Sequence, residues 1–428
     1  MTAVVSPRPQ SARHISRLGV GSWVLYDLAN TIFSINIVSL YFSLWVVSAM
    51  GGTDQAYGNA NGLSMLLMFV SAPVLGALSD QAPRRLPFLA VSTVVCIGFT
   101  LLLGTGGLLP SLAFFVIANY FYQGSQIFYD SLLPEVSTEE NRGRVGGLGV
   151  GIGYFGSIIG IAVGMLLLPE RPDPGDYTTV FRVTGLLFLV FALPAFFLIR
   201  ERPRRVSPFG VGAVRRALVE TKQTVQRARQ YRGLARFLFG RVFYTDAANT
   251  LIVFMGIYVT QEMAFSTDQA QLLLLASIPA AVVGGLVAGV SVDRFGPKRT
   301  LNVVLLLWMF VLALTIAIPV LDLPPALFWV VGSLAGVALG GTWSADRPYM
   351  LRLAPPRYLG QFYGLYAMVG RFAAIIGPLL WGFVVNTLDL GRPAAVGSLL
   401  ALLVVGYVVL QGISDEPRSW SVDELAPE

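Results

Sequence analysis

Aspartate and asparagine recur at helical spacing inside two apolar segments of this 428-residue chain. Asp27 and Asn30 are three residues apart, so one helix face presents both side chains, and Asp246 and Asn249 repeat the pair. An ionised carboxylate inside hydrocarbon costs roughly 2.5 to 3.5 kcal/mol, which turns such a residue toward the protein interior. We interpret these residues as candidates for binding a solute or a coupling ion, a proton or sodium. A structural pair near the membrane interface is the alternative.

A polar stripe follows the segment near residues 110–133. Its members, at spacings of four, three and four, are Asn119, Gln123, Gln126 and Asp130. This spacing places them on one helix face. Amides donate and accept hydrogen bonds without the desolvation cost of a charge, which suits the wall of a wet cavity. A polar stripe can instead hold membrane helices together.

Further candidates come from comparing the two halves of the chain. Asp346 lies 216 positions after Asp130, and Trp343 precedes it by three residues. Arg371 occupies the position that Tyr154 holds in the first half. Because an unpaired guanidinium in lipid would be costly, we predict that Arg371 faces a central cavity and binds an anionic solute group or a gating carboxylate. Arg241, five residues before Asp246, permits a local ion pair there.

The composition requires a membrane to position these residues. Hydrophobic residues make up 55% of the chain and charged residues 13%, and the mean hydropathy is +0.67. Twelve apolar stretches are long enough to cross about 30 Å of hydrocarbon. They lie near 20–48, 58–79, 86–108, 110–133, 145–168, 178–199, 235–261, 269–292, 300–320, 325–347, 359–385 and 393–413. This pattern predicts an all-α membrane protein with twelve transmembrane helices in two pseudo-symmetric six-helix bundles.

Internal repeats support two similar halves. The run from Asp27 to Thr31 recurs from Asp246 to Thr250 with four identities in five. Two further matches follow in order, the loop residue Asp80 with Asp293, and the run 158–160 with 375–377. Two related halves around a central site are typical of secondary transporters.

The distribution of charge predicts the topology. Of the 30 lysine and arginine residues, 25 fall at the ends of the segments on one side. The positive-inside rule therefore places both termini in the cytoplasm. The predicted divisions are a tail (1–17), a first bundle (18–199), a partly helical linker (200–234), a second bundle (235–413) and an acidic tail (414–428). The linker is either a solvated tether or a helix on anionic lipid.

Two loops carry a recognisable motif. The string from Gly289 to Arg299 resembles the signature loop of the major facilitator superfamily, and the string from Gly76 to Arg85 is its first-half copy. Small residues let helices approach closely, and a carboxylate there can meet a partner helix terminus. The resemblance implies a gate latch formed by Gly76, Asp80, Arg84, Arg85, Gly289, Asp293, Arg294, Gly296, Lys298 and Arg299.

Three blocks narrow the resemblance. They are residues 23–33, residues 128–135 leading to Gly143, and residues 362–366 with Gly377-Pro378. Together they resemble the bacterial permease branch related to the vacuole effluxers of fungi, whose best-described role is exporting amino acids. This implies an inner-membrane permease. The first block is also similar to cation-coupled glycoside, pentoside and hexuronide symporters.

Other function classes lack the residues they need. Cys96 is the one cysteine and His14 the one histidine, so neither a disulfide framework, a metal centre nor a Ser-His site is expected. We expect no cofactor and no nucleic-acid partner, and a monomer in contact with lipid. The sequence favours a secondary transporter of a small polar or amphipathic solute such as an amino acid, with export as one direction. A cation-coupled sugar or lysolipid symporter and a non-transporting membrane sensor are the alternatives.

Overall fold

The computed structural model describes residues 15–52, 54–169, 172–204, 231, 233–265 and 267–414. The predictions for the N-terminal tail, for most of the linker including its membrane-surface helix, and for the acidic tail lie outside these residues.

Twelve long helices account for most of the described chain. They are α1 (Arg17–Ala49), α2 (Asp54–Asp80), α3 (Leu86–Leu102), α4 (Leu108–Ser131), α5 (Arg142–Leu167), α6 (Pro174–Leu198), α7 (Leu234–Glu262), α8 (Thr267–Phe295), α9 (Pro297–Val320), α10 (Phe328–Leu353), α11 (Leu359–Gly382) and α12 (Gly391–Gln411). α1 includes π-helical turns at Ser34–Leu40 and Trp45–Ala49, and α11 continues into a π-helical turn at Phe383–Thr387. Each predicted apolar stretch overlaps one of these helices.

Nine helices in the described chain are long and apolar enough to cross a membrane. Of the other three, α3 is apolar but only 17 residues long. The remaining two, α4 and α7, contain the polar stripe and the Asp246 pair respectively. The chain is an integral membrane protein, and the spanning of all twelve helices stays a prediction.

The helices of the two halves pack in matching pairs. In the first half α1 packs on α5 and α6, α4 on α2 and α3, and α3 on α6. The second half repeats these pairs six helices later, α7 with α11 and α12, α10 with α8 and α9, and α9 with α12. Between the halves, α2 packs on α11 and α5 packs on α8. These two contacts are equivalent, because α8 is the repeat counterpart of α2 and α11 that of α5.

The halves meet most closely at the side where α1 begins and α12 ends, which we call the tail side. A Cβ atom at Gly147 of α5 would lie 2.6 Å from the Gly285 carbonyl oxygen of α8. A Cβ at Gly364 of α11 would likewise meet the backbone of Ala72 on α2. Glycine is therefore required at these positions for the backbones to approach so closely. The tail side is closed by direct backbone packing.

Candidate functional site

A buried arginine joins the two halves. Arg347 on α10 lies with Nε 3.1 Å from Oδ1 of Asp130 on α4, and with Nη1 3.6 Å from Oδ2 of Asp27 on α1. All three side chains are at least 86% buried. One guanidinium from the second half thus faces two carboxylates from the first. We call these three residues the inter-half bridge.

The sequence analysis missed the role of Arg347. The apolar stretch predicted near 325–347 ends at this arginine, which is therefore counted among the 25 basic residues at segment ends, but α10 continues to Leu353. Arg347 therefore lies almost two turns inside the helix. A usable signal was present, since the position matching it in the first half is uncharged Ser131. Arg371 shows the same asymmetry, since its first-half counterpart is uncharged Tyr154.

Aromatic rings and a glycine surround the inter-half bridge. Tyr129 stacks on Trp23 with ring centroids 4.5 Å apart, and the Arg347 guanidinium carbon lies 5.6 Å from the Tyr129 ring centre. On the α5 side, a Cβ at Gly153 would lie 3.2 Å from Asp27 Oδ2. Rings and backbone therefore exclude water from much of this ion pair, which strengthens its electrostatic interaction.

The polar stripe of α4 divides into two parts. Asn119 is fully buried and donates to Asn61 Oδ1 at 3.0 Å and to Ser64 Oγ at 2.7 Å, both on α2. This arrangement matches the helix-holding alternative. Gln123 donates to Asn119 but accepts from Arg371. The stripe therefore begins at a contact between α4 and α2, and its next member, Gln123, contacts Arg371 of the other half.

Arg371 reaches from α11 toward the first half. Its Nη2 donates to Oε1 of Gln123, it is half-buried, and its Nε has no hydrogen-bond partner. Next along the stripe, half-buried Gln126 accepts from Asn30, whose own Oδ1 is buried and unpartnered. Amide and guanidinium groups with spare hydrogen-bonding capacity thus lie on α1, α4 and α11.

Three predicted residues are half-buried without specific partners. No hydrogen bond or ion pair of their side chains occurs in the described chain for Tyr154, Asn249 and Trp343. Tyr154 follows Gly153, the residue that packs on Asp27. A role in solute or ion binding stays a prediction for these three residues.

The second half contains its own charge cluster. Asp346 is fully buried and accepts from Arg241 Nε at 2.9 Å, Tyr244 at 2.5 Å and Tyr366 at 2.8 Å. The local ion pair expected between Arg241 and Asp246 does not form, because the Arg241 side chain reaches α10 instead. Asp246 accepts a hydrogen bond from the backbone N–H of Gly377 at 2.7 Å. Asp346 is thus paired within its own half.

Asp80 closes one tail-side contact. Its carboxylate accepts from the backbone N–H groups of Gly360 at 3.0 Å and Gln361 at 2.8 Å, at the first turn of α11. Arg85 Nη2 lies 2.6 Å and Arg204 Nη1 3.3 Å from the same carboxylate. A negative charge at a helix N-terminus is favourable because the free N–H groups and the helix dipole attract it. Burial lowers the pKa of the Arg204 guanidinium below its usual value.

Asp293 makes the matching contact with the other half. It accepts from the backbone N–H groups of Gly143 at 2.6 Å and Arg144 at 3.0 Å, at the first turn of α5. Arg144 Nε also lies 2.8 Å away, although this side chain is largely exposed. The two aspartates therefore cap helices of opposite halves.

The remaining motif residues have supporting or peripheral positions. A Cβ at Gly76 would overlap the Gly360 backbone, and one at Gly289 would lie 2.6 Å from the Gly143 carbonyl oxygen. Gly296 has a positive φ of 89°, which favours glycine. Lys298 donates to the carbonyl oxygens of Gln411 and Ile413 at the end of α12. The exposed members are Arg84, Arg294 and Arg299.

No cluster of three or more potential metal ligands occurs among the residues that the structure describes. The groups present can hold charges, protons and polar solutes.

Comparison with known proteins places this geometry in a family context. The sequence model described as "Vacuole effluxer Atg22 like" matches residues 53–420. The MFS-type transporter YxiO of Bacillus subtilis is 28% identical over 92% of this chain and 94% of its own length. Autophagy-related protein 22 of Kluyveromyces lactis is 21% identical over 92% of this chain and 82% of its own length.

Solved structures share the fold. A major facilitator superfamily transporter, FucP, in the outward conformation has a TM-score of 0.75 at 12% identity, over 93% of this chain and 98% of FucP. A bacterial homologue of the iron transporter ferroportin in an outward-facing state has a TM-score of 0.71 at 16% identity, over 92% of this chain and 99% of that one. The major facilitator fold predicted from the sequence is confirmed.

Proposed function

Because this chain belongs to the vacuole effluxer Atg22 like family of MFS-type transporters, we propose that it moves a small polar or amphipathic solute by alternating access. The observation that carries this proposal is the inter-half bridge. Arg347 can hold Asp27 and Asp130 only while the halves are together at the tail side. Opening that side must break the bridge.

The bridge and the two aspartate caps act together as a gate in this proposal. Asp80 and Asp293 join the rims of the halves, and the inter-half bridge joins them deeper in the protein. Separating Arg347 from the carboxylates exposes three charges that must be solvated or otherwise paired, which makes the transition costly. Binding of a solute or ion between the halves supplies the differential interaction that the transition needs.

Solute binding is assigned to the polar groups around Arg371. Its guanidinium provides planar donors suited to a carboxylate, and Gln123 is a neighbouring group that a solute could displace. Asn30 has a buried oxygen that could accept from an ammonium group. An amino acid carries both groups, in agreement with the export role that the family resemblance implies. Export is the proposed direction.

The proposed setting is the inner membrane of a bacterial cell, with the tail side in the cytoplasm. The support is the accumulation of basic residues at the tail-side ends of the segments. Coupling to an ion gradient accompanies transport in this proposal, and the chain acts as a monomer.

Counterflow in proteoliposomes tests the function. Vesicles containing the purified protein are loaded with one unlabelled amino acid and diluted into its labelled form, and amino acids, sugars and lysolipids are compared. Transient accumulation of an amino acid that protein-free vesicles do not show supports the proposal. Accumulation of only sugars or lysolipids overturns the assigned solute class. Solute binding without counterflow indicates a sensor and overturns transport.

A further inference from the structure

In the described chain four aspartates other than the rim residue Asp80 lie buried along the membrane helices, and they differ in how their charge is balanced. Asp27 and Asp130 share Arg347, and Asp346 pairs with Arg241. Asp246 is 1% exposed and, within the described part of the chain, has no cationic side chain in contact. A lone ionised carboxylate in such a place is strongly disfavoured, because the charge loses its hydration without gaining a partner.

The atoms around Asp246 leave one defined gap in hydrogen bonding. Oδ1 accepts from the Gly377 backbone N–H at 2.7 Å, whereas Oδ2 has no partner. One turn further along α7, the Thr250 hydroxyl is 1% exposed and also has no partner. Both unpartnered atoms face Gly377, where a Cβ would lie 2.8 Å from Oδ2 and would overlap the Thr250 hydroxyl. The missing Cβ thus keeps this small space open.

The first half shows what the same sequence pattern does when its charge is balanced. Asp27 and Thr31, the counterparts of Asp246 and Thr250, also face a glycine, Gly153. There the hydroxyl of Thr31 donates to the backbone oxygen of Asp27, and Arg347 lies beside the carboxylate. The second half retains the aspartate and the threonine, which there face Gly377, the repeat counterpart of Gly160 and not of Gly153. In the described residues it has no counterpart of Arg347 at this place.

A single proton would complete the arrangement. A carboxylic acid has one carbonyl oxygen that accepts and one hydroxyl that donates. The Asp246 Oδ1 would accept from Gly377, as it does now, and Oδ2–H would be available to the Thr250 hydroxyl. Hard metal cations collect about six or more oxygen ligands, whereas two unpartnered oxygens meet here. We propose that Asp246 is a proton-binding site, which, if the proposed transport function holds, carries the coupling proton.

The charged and titratable groups of the neighbouring helices do not pair with Asp246 in the described chain. Among the described side chains of α7 and of the helices that pack against it, these groups are Arg236, Arg241, Tyr244, Tyr258 and Glu262 on α7 itself, Tyr363, Tyr366 and Arg371 on α11, Arg392 and Tyr407 on α12, Asp346, Arg347, Tyr349 and Arg352 on α10, Asp293 and Arg294 on α8, and Lys298 and Arg299 on α9. Arg241 bonds to Asp346, Arg371 to Gln123 and Arg392 to Glu262. Among the described residues none of these side chains contacts Asp246. Since no cationic side chain balances this carboxylate, a bound proton would neutralise its charge.

Infrared spectroscopy of the purified full-length protein tests the proton directly, without any solute. Wild-type protein should show a carbonyl band of a protonated carboxylic acid that Asp246→Asn lacks. Asp389→Asn is the matched control, since Asp389 is exposed and its φ of 52° suits asparagine. This control should retain the band. Thr250→Val keeps the shape of threonine and removes its hydroxyl, so it should shift the band in frequency without abolishing it.

Transport measurements then separate this inference from the proposed function. In proteoliposomes with an imposed pH gradient, Asp246→Asn should lose gradient-driven accumulation and retain counterflow. A wild-type protein that moves no solute overturns the proposed function, while the infrared result still decides proton binding. An identical carbonyl region in wild type and Asp246→Asn overturns the inference. So does a thermal stabilisation by sodium chloride, absent with choline chloride, that requires Asp246.

Discussion

Arg347 and Asp130 belong to different halves of the repeat, yet their side chains approach to 3.1 Å. Their counterparts do not repeat this contact, since Asp346 is paired with Arg241 of its own half. The sequence repeat is therefore symmetric in its carboxylates and asymmetric in its arginines.

The inter-half bridge should respond unequally to loss of its members. Asp27→Asn and Asp130→Asn each leave one carboxylate for Arg347, so we expect folded protein with strongly impaired transport. Arg347→Gln leaves two carboxylates without their cation, and removing one partner of a buried pair typically costs about 3 to 5 kcal/mol. Thermal unfolding in detergent measures the difference. Equal melting temperatures for Arg347→Gln and Asp130→Asn would contradict the shared-cation arrangement.

Arg371→Lys should weaken solute binding while leaving thermal stability nearly unchanged. Lysine keeps the charge but loses the planar set of donors that fits a carboxylate. Solute-induced thermal shift gives the affinity. The control is Arg182→Lys on α6, where the arginine is exposed. An unchanged affinity in Arg371→Lys, or an equal loss in both variants, would refute a contact between Arg371 and the solute.

Gly147→Ala should push the tail side open. Its new Cβ would lie 2.6 Å from the Gly285 carbonyl oxygen, so α5 and α8 must separate. Spin labels at Glu140 and Arg299, both exposed, report the distance between the halves. Gly98→Ala is the control, because no atom lies within 4 Å of its new Cβ. A distance distribution in Gly147→Ala that matches both wild type and Gly98→Ala would show that the gate tolerates the added atom.

Removing an aspartate cap should free the helix it holds. Asp80→Ala is expected to accelerate amide hydrogen exchange at Gly360 and Gln361, and Asp293→Ala at Gly143 and Arg144. Loss of a cap costs about 0.5 to 2 kcal/mol, or roughly 2- to 30-fold in local opening. Asp80→Asn should show a smaller effect, since asparagine still accepts hydrogen bonds. Acceleration confined to the mutated helix end, with none across the interface, would contradict the capping of opposite halves.

Topology can be tested with single cysteines in a Cys96→Ser background. Ala326→Cys lies in the short exposed helix between α9 and α10, and Glu140→Cys in the loop between α4 and α5. A membrane-impermeant reagent added to intact cells should label Ala326→Cys alone. Labelling of Glu140→Cys from outside would reverse the predicted orientation.

The fold could be predicted from sequence because its determinants are local. Spanning length, apolar composition and repeat spacing depend on neighbouring residues, and the predicted segments overlap the helices that form. The loop motif also placed Asp80 and Asp293 at helix ends. Which backbone N–H groups they reach depends on how the two halves pack, which a single sequence does not specify.

The charge partners were less accessible to sequence reasoning. Asp346 and Arg241 are 105 residues apart, and Arg347 and Asp27 lie in different halves. Proximity along the chain suggested Arg241 with Asp246 instead. That pairing fails because α10 brings Asp346 to the face of α7 that carries Arg241, while Asp246 faces α11.

The origin of Arg347 in the second half also affects the biosynthesis of the protein, because the aspartates that it pairs with are synthesised first. The ribosome adds roughly 220 residues between Asp130 and the end of α10. At a translation rate of about 5 to 20 residues per second, this takes roughly 10 to 40 s. During this time the first six helices hold two aspartates whose cation does not yet exist. The second six helices contain Arg241 for Asp346 from the outset. If the two halves are expressed as separate fragments, the C-terminal half should therefore accumulate in the membrane on its own. The N-terminal half should escape proteolysis only when the C-terminal half is expressed with it.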